Sequence, residues 1–247
     1  MYYIKKSALV LLFILGGILP ALKAQEVVLE QKPDQLAHTG FGPNKAWFAQ
    51  LSIGYGTLIG DGANANGLSI NNWRSNDLDI SIKMKRKING LLSVWLEPGY
   101  HYAAYNINQT EPKLTDSLFW PGNGPLKHVK ERFATEGLLL NAFLRLNFDP
   151  KRGNYLGDYL DLGAGGDINI DQEYLAIDKN SDGSVKRTSF SNIPYMNGFG
   201  YHVFARIGLN WLAITFNYRL SGVFKNQYNI PEPSVFTAGI EINPYTH

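Results

Sequence analysis

One stretch of the sequence carries oxygen ligands at the spacing of a calcium-binding loop. Asp178, Asn180 and Asp182 occupy the first, third and fifth positions, and Gly183 follows at the sixth, where such loops turn sharply. The twelfth position is Ser189, so the bidentate Glu that completes these loops is missing. The stretch is therefore a weak calcium candidate, and its composition fits an ordinary turn equally well.

The histidines give little support for nucleophilic catalysis. An acyl hydrolase needs a His near a Ser and an acidic partner. His101 and His202 fall on polar faces of alternating segments, and neither has a Ser two residues away. The chain also has no Cys, which excludes thiolate chemistry, disulfides and lipid attachment at a processed N-terminal Cys. We therefore predict no catalytic residue and no cofactor.

Charged residues of both signs recur at alternate positions of otherwise apolar segments. An unpaired charge in a packed interior is costly, so charges that point inward must pair. Gly163, Gly165, Gly200 and Gly239 share these faces and would leave room for long side chains. We predict an interior ionic network of seven residues: Glu97, Arg145, Asp161, Asp167, Arg206, Arg219 and Glu241.

The elements that position these charges have a period of two. From Trp47 onward no stretch sustains the i, i+3, i+4 spacing of an amphipathic helix, and each apolar segment has one apolar and one polar face. Pro98 cannot donate to a strand ladder, so we expect a bulge or bend near Pro98 and Gly99. Eight strands are predicted, at residues 47–55, 78–84, 92–102, 138–146, 160–170, 199–207, 212–220 and 236–242.

Alternation fits a soluble β-sandwich as well as a transmembrane barrel, and two internal features favour the barrel. Connections after the second, fourth and sixth strands are short, whereas the others are long and polar, as in outer-membrane barrels. Aromatic residues lie on the apolar faces toward strand ends, like an interfacial girdle: Trp47, Tyr55, Tyr100, Tyr102, Phe199, Tyr201 and Tyr218. We predict an all-β, antiparallel, up-and-down transmembrane barrel of about eight strands.

The start of the chain adds a third feature, a secretory signal peptide. Lys5 and Lys6 precede an apolar run at residues 8–19, and Ala24 precedes Gln25. We predict residues 1–24 as the cleaved signal, 25–45 as a short periplasmic lead-in and 46–247 as the barrel. The formal charge of +2 includes Lys5, Lys6 and Lys23, so the mature chain is near 2 − 3 = −1. A nucleic-acid partner has no electrostatic support.

Five stretches carry a resemblance, at residues 152–157, 159–163, 204–208, 218–221 and 237–242. They resemble the outer-membrane β-barrel proteins of Bacteroidetes-type bacteria, of the PorT-like kind. The resemblance covers roughly residues 47–243 and rests on diffuse strand motifs. It implies an integral outer-membrane barrel without a catalytic motif, and PorT itself is tied to protein secretion and gliding machinery.

These observations together favour a non-enzymatic outer-membrane barrel. We expect contact with outer-membrane lipid, and a scaffold or accessory role in which long extracellular loops contact another envelope or secretion protein. Phe119 and Trp120, in the turn-rich loop after the third strand, are the candidate loop contacts. The alternatives are a lipid-acting outer-membrane barrel enzyme and a secreted soluble β-sandwich that binds a ligand.

Overall fold

The computed structural model describes residues 41–60, 70–108, 128–149, 156–228, 230 and 232–244. The compact unit that contains the strands begins at Gly42. The predicted signal peptide, most of the predicted lead-in, and the loop with Phe119 and Trp120 lie outside the described residues. Within the described ranges, no helix is long and apolar enough to cross a membrane.

Alternating apolar and polar residues form long antiparallel strands, as the period of two predicts. Two short 3₁₀ helices, Asn72–Arg74 and Asn226–Tyr228, lie in the connections. The strands are β1 (Trp47–Ile59), β2 (Asn76–Lys87), β3 (Leu92–Asn106), β4 (Lys130–Asn147), β5 (Asp158–Lys179), β6 (Val185–Ser191), β7 (Phe199–Leu209), β8 (Leu212–Arg219) and β9 (Phe236–Ile242).

Eight of these strands close into a ring. β1 pairs with β2 on one side and with β9 on the other, and the ladder continues through β3, β4, β5, β7 and β8 back to β9. β6 lies outside the ring and pairs with β5. This ring confirms the predicted eight-stranded antiparallel barrel. It also shows that the β-sandwich alternative was wrong, because a sandwich leaves sheet edges that closure removes.

The two ends of the barrel differ in their connections. β2 and β3 are joined by a short turn, and β7 and β8 by a two-residue hairpin in which Asn210 has a φ of 61°. The connection from β4 to β5, the start of β1 and the end of β9 lie at this same end, which we call the turn end. The opposite end, the loop end, carries the longer connections.

The outer wall of the ring is apolar over its full height. Leu140, Ile168 and Ile214 expose about half of their surface, at 54%, 56% and 45%. Exposed aromatic side chains mark both margins of this wall, and aromatic rings favour the boundary between lipid and water. Tyr55, Phe199, Tyr201 and Tyr218 lie toward the loop end, and Trp47, Phe148 and Trp211 toward the turn end.

The part of the sheet formed by β3, β4, β5 and β6 continues past the ring at the loop end. β5 pairs with β7 only up to Ile168, yet it runs on to Lys179 between β4 and β6. At about 3.3 Å per residue, this extension of 11 residues, from 169 to 179, reaches roughly 36 Å beyond that pairing. A β-bulge between Glu136 and Gly137 marks where the β4–β5 ladder leaves the barrel wall.

Pro98 interrupts a ladder without shifting it. The β2–β3 pairing breaks between Ser81–Gly99 and Met84–Leu96 and resumes in the same register. The expected bulge is therefore absent at Pro98, where the strand instead loses pairing with β2 while staying paired with β4. The missing proline N–H explains the gap, since it removes one ladder donor.

Candidate functional site

The turn-end half of the lumen is filled by aromatic rings and a buried ion pair. Trp95 and Phe143 stack with centroids 5.7 Å apart. The Arg145 guanidinium lies 4.2 Å from the Trp95 ring centroid and 3.5 Å from that of Tyr159. It donates two hydrogen bonds to Asp161, of 2.6 and 2.7 Å. Because the rings shield a bidentate pair, this layer is packed as a protein core rather than as a water channel.

The middle of the lumen holds two cations and two carboxylates. Arg206 contacts Glu97 at 2.8 Å and Glu241 at 3.1 Å. Lys83 contacts Glu241 and lies 3.9 Å from Glu97. All four side chains are nearly fully buried, so their opposite charges compensate one another where water cannot. Sequence reasoning omitted Lys83 from the network, although its position on the polar face of β2 was the available signal.

Two predicted members of the network lie elsewhere. Arg219 pairs with Glu232, at 3.1 Å, in the loop-end connection before β9. Asp167 lies beside His202, with 3.6 Å between its Oδ1 and the imidazole Nδ1. The structure therefore places five of the seven predicted residues in two adjacent ionic layers, Arg145 with Asp161 and Arg206 with Glu97 and Glu241, and places Asp167 and Arg219 nearer the loop end.

A second polar cluster occupies the loop-end half of the lumen. His101 Nδ1 lies 2.7 Å from Asp79 Oδ1 and 3.4 Å from Asp77 Oδ1. Asp77 and Asp79 share a face of β2 because they are two residues apart, and Asp79 is the direct cross-strand partner of His101 on β3. Asp167 and His202, from β5 and β7, complete what we call the Asp–His cluster. Sequence reasoning placed His101 and His202 on polar faces but did not group them with each other or with the aspartates.

Two small cavities adjoin the Asp–His cluster. Their volumes are about 50 and 40 Å³, and Asp77 and His202 line both. A cavity of about 10 to 15 Å³ holds one water molecule, so each has room for a few waters or a hydrated ion. The side-chain oxygen of Asn217, which also lines both cavities, is buried without a hydrogen-bond partner among the described residues.

An apolar cluster covers these cavities at the loop end. Phe133 is fully buried and contacts Tyr174 and Phe224, with ring centroids 5.0 and 5.2 Å apart. Leu58, Tyr105, Ile107, Ile193, Met196, Val223 and Ile230 belong to the same cluster. The Asp–His cluster therefore lies between the ionic layer in mid-barrel and an apolar layer at the loop end, and its side chains are partly buried.

The calcium candidate forms the turn between β5 and β6. Asp178 Oδ1 lies 2.6 Å from His128 Nδ1, and the Asn180 side chain donates to the Ser184 hydroxyl at 2.8 Å. Asp182 accepts hydrogen bonds from the backbone and hydroxyl of Ser184, which lower the pKa of this exposed carboxyl. These contacts close a hairpin without needing an ion, so calcium binding stays a prediction without geometric support.

The lumen histidines contact carboxylate and amide groups. His101 contacts Asp79, and His202 Nε2 lies 3.0 Å from the Asn141 side-chain oxygen. Among the described contacts of these two histidines there is no Ser or Thr hydroxyl. The arrangement fits hydrogen-bonded, charged or metal-binding imidazoles rather than the general base of an acyl hydrolase.

The closed ring, its apolar outer wall and its filled lumen define the class: a small β-barrel of the outer-membrane type. No protein-family model and no curated protein matches the chain. Among solved structures, the chain is similar to Ail, the attachment invasion locus protein of Yersinia pestis, in a crystal structure with the heparin analogue sucrose octasulfate. The identity is 11%, over 79% of this chain and 94% of that chain, with a TM-score of 0.32. A likeness this distant carries no argument about function, and the PorT-like resemblance stays a prediction.

Proposed function

We propose that the chain is an integral outer-membrane protein without enzymatic activity, and that it acts as a scaffold or accessory. In this proposal its loop end faces the outside of the cell and binds another envelope or secretion component. The observation that carries the proposal is the extension of β3 to β6 beyond the ring, because a barrel that served only as a membrane plug would not need it.

The extension is built as a rigid platform. Tyr174 on β5 is buried and donates a hydrogen bond of 2.6 Å to Glu131 on β4. Its ring also stacks on Phe190 of β6, with centroids 6.5 Å apart. Because the β5–β6 hairpin is anchored by these contacts, it can present its exposed side chains in a fixed arrangement. Phe119 and Trp120 remain the predicted contacts in the neighbouring loop.

The filled lumen argues against a diffusion pore. The Arg145–Asp161 layer and the Arg206–Glu97–Glu241 layer both consist of residues that are at most 5% exposed. Eight-stranded barrels have an interior just wide enough for side chains to fill. The apolar outer wall supports insertion in a bilayer, because outside a bilayer this large apolar surface would be exposed to water.

Membrane insertion and orientation are tested with single cysteines, for which the Cys-free chain gives no background. Ser184 lies in the exposed β5–β6 turn, and Ile88, 57% exposed, lies in the β2–β3 turn at the opposite end. On intact cells an impermeant thiol reagent should label Ser184→Cys and leave Ile88→Cys unlabelled until the outer membrane is opened. Labelling of Ile88→Cys but not of Ser184→Cys on intact cells would show that the orientation is the reverse of the one proposed.

The contact role is tested by site-specific photo-crosslinking in the native host. A photoreactive amino acid at Val185, 67% exposed on β6, should form an adduct with one envelope protein. The same amino acid at Leu162, 51% exposed on the outer wall, is the matched control and should crosslink to lipid. A protein adduct from Leu162 and none from Val185 would contradict a role for the extension.

A further inference from the structure

We propose that Asp77, Asp79 and His101 bind a divalent transition-metal ion in the loop-end half of the lumen. Two carboxylates and one imidazole offer three donor atoms that all lie within 4.8 Å of one another. Ligands of a tetrahedral zinc ion, at about 2.0 to 2.2 Å from the metal, are about 3.3 to 3.6 Å apart. The 3.4 Å between His101 Nδ1 and Asp77 Oδ1 already fits this range. The 2.7 Å between His101 Nδ1 and Asp79 Oδ1 is shorter, so these two side chains would have to move slightly apart to ligate one ion.

The charge balance of the Asp–His cluster favours a bound cation. Three carboxylates, of Asp77, Asp79 and Asp167, face only two imidazoles. The nearest guanidinium groups are paired with other carboxylates: Arg206 with Glu97 and Glu241, and Arg219 with Glu232. Partly buried carboxylates in excess are stabilised by a bound cation. A divalent ion would supply two positive charges while His101 stays neutral and free to ligate.

The surroundings provide space and a partner for the remaining coordination positions. Asp77 faces both cavities, and each cavity has room for water molecules that would complete the metal's ligand shell. The buried, unpartnered side-chain oxygen of Asn217 lies in the same walls and would accept a hydrogen bond from such a water.

The ligand set selects the class of metal. Imidazole suits zinc, nickel, copper and iron, whereas calcium and magnesium prefer oxygen ligands alone. The proposed site therefore differs in chemistry from the oxygen-only calcium candidate at Asp178, Asn180 and Asp182. It also lies inside the barrel rather than in a loop, so its role would be to tie β2 to β3 beneath the apolar cluster.

The test uses the untagged full-length mature protein, refolded in detergent and freed of metal with a chelator. Calorimetric titration with Zn²⁺ should show one equivalent bound, and Zn²⁺ should raise the midpoint of thermal unfolding. Ca²⁺ at the same concentration should do neither. Asp79→Asn keeps the side-chain volume and removes one ligand charge, and it should weaken Zn²⁺ binding at least tenfold.

His128→Ala is the matched control, because it also breaks a His–Asp contact of 2.6 Å but outside the Asp–His cluster. It should bind Zn²⁺ as the unchanged protein does. The difference in gel mobility between unheated and boiled samples verifies that each variant is folded. Absence of Zn²⁺ binding by the folded protein would overturn the proposal and leave the cluster as a set of proton-sharing ion pairs. Equal affinity in folded Asp79→Asn would overturn it as well.

Discussion

Replacing Asp161 by Asn should destabilise the barrel far more than the same kind of change in an exposed ion pair. Arg145 is 1% exposed, and its guanidinium donates both of its aligned hydrogen bonds to Asp161. The substituted amide side chain would keep one acceptor oxygen but remove the negative charge. Breaking one side of a buried pair costs about 3 to 5 kcal/mol, because the other charge is left uncompensated.

The packing around Arg145 decides where in that range the loss should lie. The Trp95 and Tyr159 rings flank the guanidinium, and a buried cation–π contact contributes up to about 2 kcal/mol. These contacts persist in the variant and keep Arg145 partly stabilised. We therefore expect a loss near the lower bound, about 3 kcal/mol in the free energy of unfolding.

The measurement is equilibrium unfolding in urea from detergent or lipid, followed by tryptophan fluorescence and by unheated gel mobility. Glu173→Gln is the matched control, since Arg132 and Glu173 also pair between β4 and β5, at 3.2 Å, but are about one quarter exposed. A surface pair of this kind contributes about 0.2 to 1 kcal/mol. Equal losses for Asp161→Asn and Glu173→Gln would refute the reasoning, because they would show that water reaches Arg145.

Two further substitutions test the outer wall and the packing of the lumen. Leu140→Arg places a charge at mid-height of the apolar wall and should lower the free energy of unfolding in lipid by about 2 to 4 kcal/mol. Its control, Phe148→Arg at the turn-end margin, should lower it by about 0 to 1 kcal/mol. Equal folding yields of the two variants in lipid vesicles would contradict the assignment of the wall. Gly165→Ala places a methyl group against the Asn141 side chain and should cost about 1 to 3 kcal/mol, whereas Gly198→Ala meets no atom within 4 Å and should be neutral in urea unfolding.

The strands were predictable because lipid and lumen impose opposite demands on alternate residues. β9 spans residues 236 to 242 in both the prediction and the structure. The prediction for β4 began eight residues late, at 138 instead of Lys130, and that for β5 ended at 170 instead of Lys179. The bulge in the β4–β5 ladder explains the error in β5, because its extra residue, Ile170, lies on that strand and reverses the alternation there. The alternation of β4 stays in phase, but beyond the wall its outward positions are polar, at Arg132 and Glu136, and its inward Phe133 is apolar, so the pattern that identified the strand is inverted.

The missed strand β6 has a different physical reason. Val185–Ser191 includes Lys186 and Arg187 and is exposed on both sides over most of its length. Without a buried face, such a strand has no apolar period to detect, and its formation depends on backbone pairing with β5. The contacts that hold it, such as Phe190 against Tyr174, join residues of two strands and are not visible in either strand alone.

The interior network shows the limit of alternation most clearly. The period of two assigns Asp161, Asp167, Arg145 and Arg219 to the lumen, but it does not give their height along the barrel axis. Height depends on the strand register, and the register sets Arg145 opposite Asp161. It also sets Asp79 opposite His101 in the other half of the lumen. Charges of opposite sign on inward faces therefore predict that ion pairs exist. The register decides whether a given carboxylate pairs with an arginine or joins the Asp–His cluster, which is the proposed metal site.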